Sequence, residues 1–167
     1  MTRYTTPRPL AATDDLIKFD CGETSLNEWL RTQALQNSAS GASRTFVTTE
    51  ENRVVGYYAL AAASVERRNA PGRIRRNQPE MVPVILLARL AVDQTHQGRR
   101  VGSHLLRDAI LRTVRIADNA GVRALLVHAL DQRARDFYQH YDFMPSPTDE
   151  LHLYLLIKDA EDLLAHS

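Results

Sequence analysis

The sequence predicts an α/β chain of the α+β kind, one mixed sheet with flanking helices, and three observations predict it. Residues 84–92, Val-Ile-Leu-Leu-Ala-Arg-Leu-Ala-Val, are almost continuously apolar, as in a central strand covered on both faces. Leu105, Leu106, Ala109, Ile110, Thr113, Val114 and Ala117 then recur at helical spacing and make one stripe. Residues 122–129 read as a further strand, so strand, helix and strand form a parallel step.

The remaining elements follow in order. Thr24 or Ser25 caps a helix over 26–37, with Leu26, Trp29, Leu30 and Ala34 on one face. Residues 38–42 are a loop. Residues 44–49 and 54–65 are strands, joined at 50–53 as a hairpin. Residues 71–83 hold Pro, Gly and charge and read as a loop. The long helix is expected over 102–120, ended by Gly121. A short helix over 131–141, a strand over 151–157 and a last helical turn or two over 159–165 complete the chain.

Length and composition limit the function classes. A chain of 167 residues is expected to be one domain, 1–167, large enough to bury a core without disulfides or metals. Its apolar and charged fractions, 44% and 25%, are those of a soluble globular protein. No apolar run is long enough for a bilayer, and the first residues lack a signal-peptide core, so a cytoplasmic protein without a membrane partner is expected. Cys21 is the single cysteine, which excludes an internal disulfide and a cysteine metal cluster. It reads as a small residue at a turn. None of the six histidines has a metal-ligand spacing, so no metal is expected.

The segment between the central strand and the long helix is Gln97-Gly98-Arg99-Arg100-Val101-Gly102-Ser103. A loop running into a helix N-terminus presents unpaired N–H groups and the positive end of the helix dipole, which suits a phosphate or pyrophosphate. No lysine follows Gly102, which excludes a Walker loop, and the third glycine of a dinucleotide fingerprint is absent. On its own the segment reads equally as an ordinary strand-to-helix turn with solvated arginines.

It resembles the Gln/Arg-x-x-Gly-x-Gly/Ala loop of GNAT acetyltransferases, with Arg100 where the middle glycine usually stands. Residues 134–143, Ala-Arg-Asp-Phe-Tyr-Gln-His-Tyr-Asp-Phe, resemble that family's Ala-x-x-Phe-Tyr-x-x-x-Gly-Phe signature, with Asp142 in place of glycine. Further segments are similar to the GNAT toxins of bacterial toxin–antitoxin pairs. These are 19–30, 40–47, 55–60, 90–93, 124–130 and 143–149.

The resemblance implies the GNAT fold, a mostly antiparallel mixed sheet whose parallel pair is splayed. It implies acetyl-CoA as cosubstrate, with Leu90, Ala91 and Val92 pairing with pantetheine. Gln97, Gly98, Arg99, Arg100, Val101, Gly102 and Ser103 would hold the pyrophosphate, and Phe137 would contact the cofactor. It further implies acetylation of the α-amine of aminoacyl-tRNA, which blocks translation. It implies a homodimer and an antitoxin with a ribbon-helix-helix DNA-binding region.

Amine acetylation needs a neutral amine and a proton for the leaving thiolate. Tyr138 is the candidate general acid, because a phenol with a pKa near ~10 is protonated at neutral pH. The resemblance implies the same role for it. The alternative is a core aromatic with a satisfied hydroxyl, and Tyr57, Tyr58 and Tyr141 read as packing or pocket-lining residues. No general base stands out. Glu28, Asp93 and His128 are available, each also readable as a solvated or capping residue.

Residues 66–76 hold five arginines, Arg67, Arg68, Arg73, Arg75 and Arg76, against one acid. They read either as a solvated loop or as a phosphate patch for tRNA, with Arg31, Arg44 and Arg89 elsewhere. Two functional alternatives stay open at this point. One is a GNAT enzyme for another amine, such as a polyamine, an antibiotic or a protein N-terminus. The other is a non-catalytic GNAT-like binding module.

Overall fold

The computed structural model describes residues 3–166. Among the described residues seven strands and six α-helices follow in the order β1 (Arg8–Pro9), α1 (Thr24–Thr32), α2 (Ala34–Ser40), β2 (Arg44–Glu50), β3 (Arg53–Glu66), α3 (Gly72–Arg75), β4 (Met81–Val92), α4 (Val101–Ala117), β5 (Ala124–His128), α5 (Gln132–Gln139), β6 (Met144–Pro145), β7 (His152–Leu156) and α6 (Ile157–Ala165). The chain divides into two compact units, with boundaries at Ala61/Ala62, Leu87/Ala88 and Ala109/Ile110.

In the first unit β1 pairs antiparallel with β2, and β2 with the first part of β3. Glu51 and Asn52 both have positive φ, 51° and 67°, between the paired Glu50 and Arg53. That is the primed two-residue turn, whose twist matches that of the flanking strands. The helix expected over 26–37 is two helices, broken at Gln33, whose φ and ψ are −121° and −31°. Nothing in the residues around Gln33 marks this break.

The core of this unit is built on Tyr57, which is fully buried. Trp29 stacks on it at 6.0 Å, and Phe19 meets it edge-on at 5.6 Å. Leu10, Leu30, Ala34, Val47, Val54, Ala59 and Ala91 complete the cluster. Each such aromatic contact adds about 0.5–1.5 kcal/mol to the gain from burial. On the same strand Gly56 leaves room for α4. A Cβ there would lie 2.9 Å from Leu105 and 3.2 Å from both Thr48 and Val101, so a side chain would push the first turn of α4 away.

In the second unit β4 pairs in parallel with β5, Val84 opposite Ala124 through Leu87 opposite Val127, and then runs on to Val92. β7 pairs antiparallel with β5 and with β6. Ile74, Val82, Val84, Leu126, Tyr154 and Leu156 lie in its core. Here the expected loop over 71–83 is partly ordered. Pro71 precedes the single turn of α3, a position where its missing N–H costs nothing. β4 begins at Met81 rather than 84. The stripe on α4 is buried as expected, with Leu105, Leu106, Ala109, Ile110 and Thr113 all at most 3% exposed.

Candidate active site

The turn leaving β4 is tied by Asp93. Its carboxylate, 2% exposed, accepts from Arg53 at 2.9 Å, from the Asp20 N–H at 3.1 Å, and from the Thr95 N–H and hydroxyl at 3.0 and 2.6 Å. Burial opposes the charge, but these donors outweigh it and hold the carboxyl below its usual range. Asp93 is therefore a structural cap, fully committed, and not a free base. Its own N–H donates to the Val55 carbonyl at 2.8 Å, which ties the end of β4 to β3.

Gln97 comes next, and its side chain turns back along the chain. Its amide donates to the carbonyls of Val92 at 3.0 Å and Cys21 at 3.3 Å. The first residue of the expected cradle thus braces the loop against the end of β4. Cys21 takes part through its backbone. Burial pushes its thiol up, away from reactivity.

Gly98 and Arg100 both have positive φ, 78° and 65°. Alternation of this kind turns successive N–H groups to one side, a concavity that suits an anion. α4 then starts at Val101, with the His104 N–H bonded to the Arg100 carbonyl at 3.0 Å. The N–H groups of the first turn, Val101 and Gly102 among them, have no acceptor within the helix. Gln97, Gly98, Arg99 and Arg100 are exposed, so a ligand can reach the loop. The residues present fit a pyrophosphate: small at Gly98 and Gly102, cationic at Arg99 and Arg100.

Tyr138 lies on α5, which is capped by Asp131 through the Ala134 N–H at 2.9 Å. Its ring is buried, 7% exposed, between Phe137 at 5.2 Å and Phe143 at 5.5 Å. Its carbonyl accepts from the N–H groups of Tyr141 and Phe143, which fixes its backbone. Its hydroxyl has no protein partner among the described residues. Tyr57 and Tyr58 differ: their hydroxyls donate to the Leu26 carbonyl at 2.8 Å and to Asp108 at 2.5 Å, so they are packing residues. Burial pushes the Tyr138 phenol up, which keeps it protonated at neutral pH.

Of the other base candidates, Glu28 is exposed on α1. His128 stacks on His152 with ring centroids 3.9 Å apart, and burial with that neighbour lowers its pKa.

The arginine cluster divides. Arg67, Arg68 and Arg75 line a groove of about 480 Å³ together with Glu66 and Glu80. Arg73 and Arg76 line another of about 350 Å³ with Arg123 and Lys158. Arg68 is paired with Glu66 at 2.5 Å, and Arg73 with Asp159 at 2.7 Å. Arg123 donates to the carbonyls of Ile74 and Arg73, closing the end of α3. Arg123 and Lys158 were invisible as site residues in the sequence, because neither stands near the cluster in the chain.

The family model described as acetyltransferase (GNAT) domain matches residues 41–145. The chain belongs to the GNAT acetyltransferase family. This acetyltransferase is 58% identical over 164 residues to the tRNA-acetylating toxin of Mycobacterium tuberculosis, covering 98% of this chain and 99% of that protein. It is similar to the structure of AtaT complexed with acetyl-methionyl-tRNAfMet, with TM-score 0.88 and 30% identity over 96% of this chain and 99% of the other. It is also similar to a tyrosine-to-phenylalanine mutant of AtaT bound to the C-terminus of the antitoxin AtaR and acetyl-CoA. There the TM-score is 0.83 and the identity 29%, over 98% of this chain and 99% of the other.

The two departures from the family's glycines now have a structural reading. Arg100 and Asp142 of this acetyltransferase keep the left-handed backbone, φ 65° and 68°, with a side chain in place. Left-handed backbone costs an L-residue about 1–2 kcal/mol, less for Asp than for Arg. Arg100→Gly should therefore stabilise the enzyme by up to about 1 kcal/mol, raising Tm by about 2 °C. If the guanidinium also bonds a phosphate, the same change should weaken acetyl-CoA binding roughly 10-fold. Thermal unfolding and calorimetry on one variant check both. Unchanged affinity would leave Arg100 with the strain and no contact.

Among the described residues no helix is long and apolar enough to cross a membrane. Nor does any group of three or more His, Cys, Asp or Glu among them stand ready to hold a metal ion.

Proposed function

We propose that this enzyme moves the acetyl group of acetyl-CoA to the α-amine of an amino acid esterified to tRNA, and so blocks translation. The observation that carries the reading is the similarity over nearly the whole chain to a tRNA-acetylating toxin, joined to an unpartnered, protonated Tyr138. In this reading residues 1–167 work as one acetyltransferase domain in the cytoplasm, as a homodimer. An antitoxin with a ribbon-helix-helix region restrains it.

Each residue then has a task. Gly98, Arg99, Arg100, Val101, Gly102 and Ser103 cradle the pyrophosphate, with Gln97 bracing them. Leu90, Ala91 and Val92 offer backbone groups to the pantetheine arm, and Phe137 flanks it. Tyr138 donates its proton to the departing thiolate sulfur.

A strong base is not required of the chain. An α-amine has a pKa near ~8, against about 10.4 for a lysine side chain, and an adjacent ester lowers it further. Much of the acceptor is already neutral, and water takes its proton. Holding the two reactants together supplies much of the acceleration.

The test offers the enzyme labelled acetyl-CoA with a panel of amines: charged tRNA, polyamines, an aminoglycoside and peptides. Label on charged tRNA is expected. Label only on the small amines or peptides would move the acceptor and leave the family assignment intact.

For tRNA docking, the groove of Arg73, Arg76, Arg123 and Lys158 is favoured over its neighbour, because Glu66 and Glu80 line the neighbour, whereas here Asp159 pairs with Arg73 and Arg76 and Lys158 carry the charge. Arg76→Ala should weaken tRNA binding and reduce the log–log salt slope by roughly 0.7 to 0.9, the value of one phosphate contact. Arg68→Ala should change neither, because Arg68 is held by Glu66. Equal slopes for Arg76→Ala and the parent would make this groove a solvated surface.

A further inference from the structure

Arg89 lies on β4, immediately before Leu90, and its guanidinium carbon sits 4.2 Å from the centroid of the Trp29 ring. Trp29 is itself fixed. It is 9% exposed and stacked on the fully buried Tyr57, whose hydroxyl is tied to the Leu26 carbonyl. Arg89 is half-buried on this platform.

Neighbouring arginines of the same unit spend their guanidinium groups inside the protein. Arg31 donates to the Leu16 and Phe19 carbonyls, Arg44 to the Ser38 carbonyl, and Arg53 to Asp93. Arg89 has no hydrogen-bond acceptor and no carboxylate partner among the described residues. Its ring contact does not change that. The five N–H donors of a guanidinium lie in its plane, and the Trp29 ring attracts its charge without supplying an acceptor to any of them. The result is a guanidinium held in place over an aromatic ring with its donors open, and its planar fork has the shape that takes a phosphate through two parallel bonds.

Position says which phosphate. The cradle at 97–103 lies on the C-terminal side of β4. A pantetheine arm running back from it along Val92, Ala91 and Leu90 brings its acyl end towards Arg89. The phosphates of coenzyme A are then at the far end. We propose that Arg89, held by Trp29, anchors a phosphodiester at the 3′ end of the acceptor RNA, beside the amine to be acetylated. This rests on the acceptor and the cofactor placement proposed above.

The test uses Arg89→Gln and Arg89→Lys in the full chain, with thermal unfolding to show that both fold. Three quantities are read: kcat/KM for charged tRNA, the salt dependence of binding to uncharged tRNA, and the Kd of acetyl-CoA. Arg89→Gln should lower kcat/KM roughly 10- to 100-fold, the range of a lost charge-assisted bond. It should reduce the salt slope by roughly 0.7, the value for one single-stranded phosphate, with acetyl-CoA affinity unchanged. Arg89→Lys should restore the slope and only part of kcat/KM, because an ammonium keeps the charge without the fork. An unchanged salt slope in Arg89→Gln would overturn the proposal. So would a loss of acetyl-CoA affinity, which would assign the phosphate to the cofactor. A parent enzyme that leaves charged tRNA unmodified would refute the acceptor itself, and that result precedes any substitution.

Discussion

Tyr138→Phe is expected to slow acetyl transfer to charged tRNA by roughly 10²- to 10⁴-fold, with acetyl-CoA still bound. The substitution removes one oxygen and keeps a ring that is packed between Phe137 and Phe143. Because the hydroxyl has no protein partner among the described residues, its loss breaks no internal bond. The usual cost of about 1 kcal/mol for a lost structural bond should be absent, and Tm should hold or rise slightly. A large loss of rate without a loss of stability is the signature of a group used only in the transition state. In cells, the parent expressed without an antitoxin should arrest growth, and Tyr138→Phe should not. Single-turnover transfer is the measurement. A folded variant within a few-fold of the parent rate removes Tyr138 from the mechanism.

The second large effect is expected at Gly102, in the first turn of α4. Gly102→Glu should weaken acetyl-CoA binding by more than roughly 100-fold, since like charges forced together cost several kcal/mol. The helix itself should gain. Glutamate propagates a helix better than glycine, and a carboxylate in the first turn complements the dipole, a gain of about 0.3–1 kcal/mol. Binding and stability should thus move in opposite directions. Calorimetry that finds unchanged affinity in the folded variant would remove the pyrophosphate from this loop.

Much of this was legible in the sequence where a pattern was long or a residue chemically marked. The apolar run of β4, the stripe on α4 and the hairpin at Glu51–Asn52 all appear near their expected positions. The family glycines replaced by Arg100 and Asp142 mark two positions of left-handed backbone, which the replacements retain. Short elements were not legible. β1 and β6 have two residues each and include Pro9 and Pro145, so they carry no alternation to detect. α3 is a single turn amid Pro, Gly and Arg, and its order comes from the burial of Ile74 and the cap from Arg123.

Spacing along the chain also could not sort the arginines. Arg73 and Arg75 differ by two positions, which on one helical turn sends them to different grooves. Asp93 shows the converse: its reading as a cap was available from sequence, but its Arg53 partner was not. Trp29 and Arg89 meet through the tertiary fold, and no local signal announces such a pair.

The central claim is the acceptor, and the position of the transferred acetyl tests it most directly. A single species of charged tRNA is incubated with the enzyme and labelled acetyl-CoA, the ester bond is cleaved with mild alkali, and the released amino acid is analysed by mass. The account predicts an amino acid carrying the label on its α-nitrogen, formed at a rate that falls with Tyr138→Phe. Release of an unmodified amino acid from every charged tRNA offered, with label accumulating on polyamines or peptides instead, would contradict it.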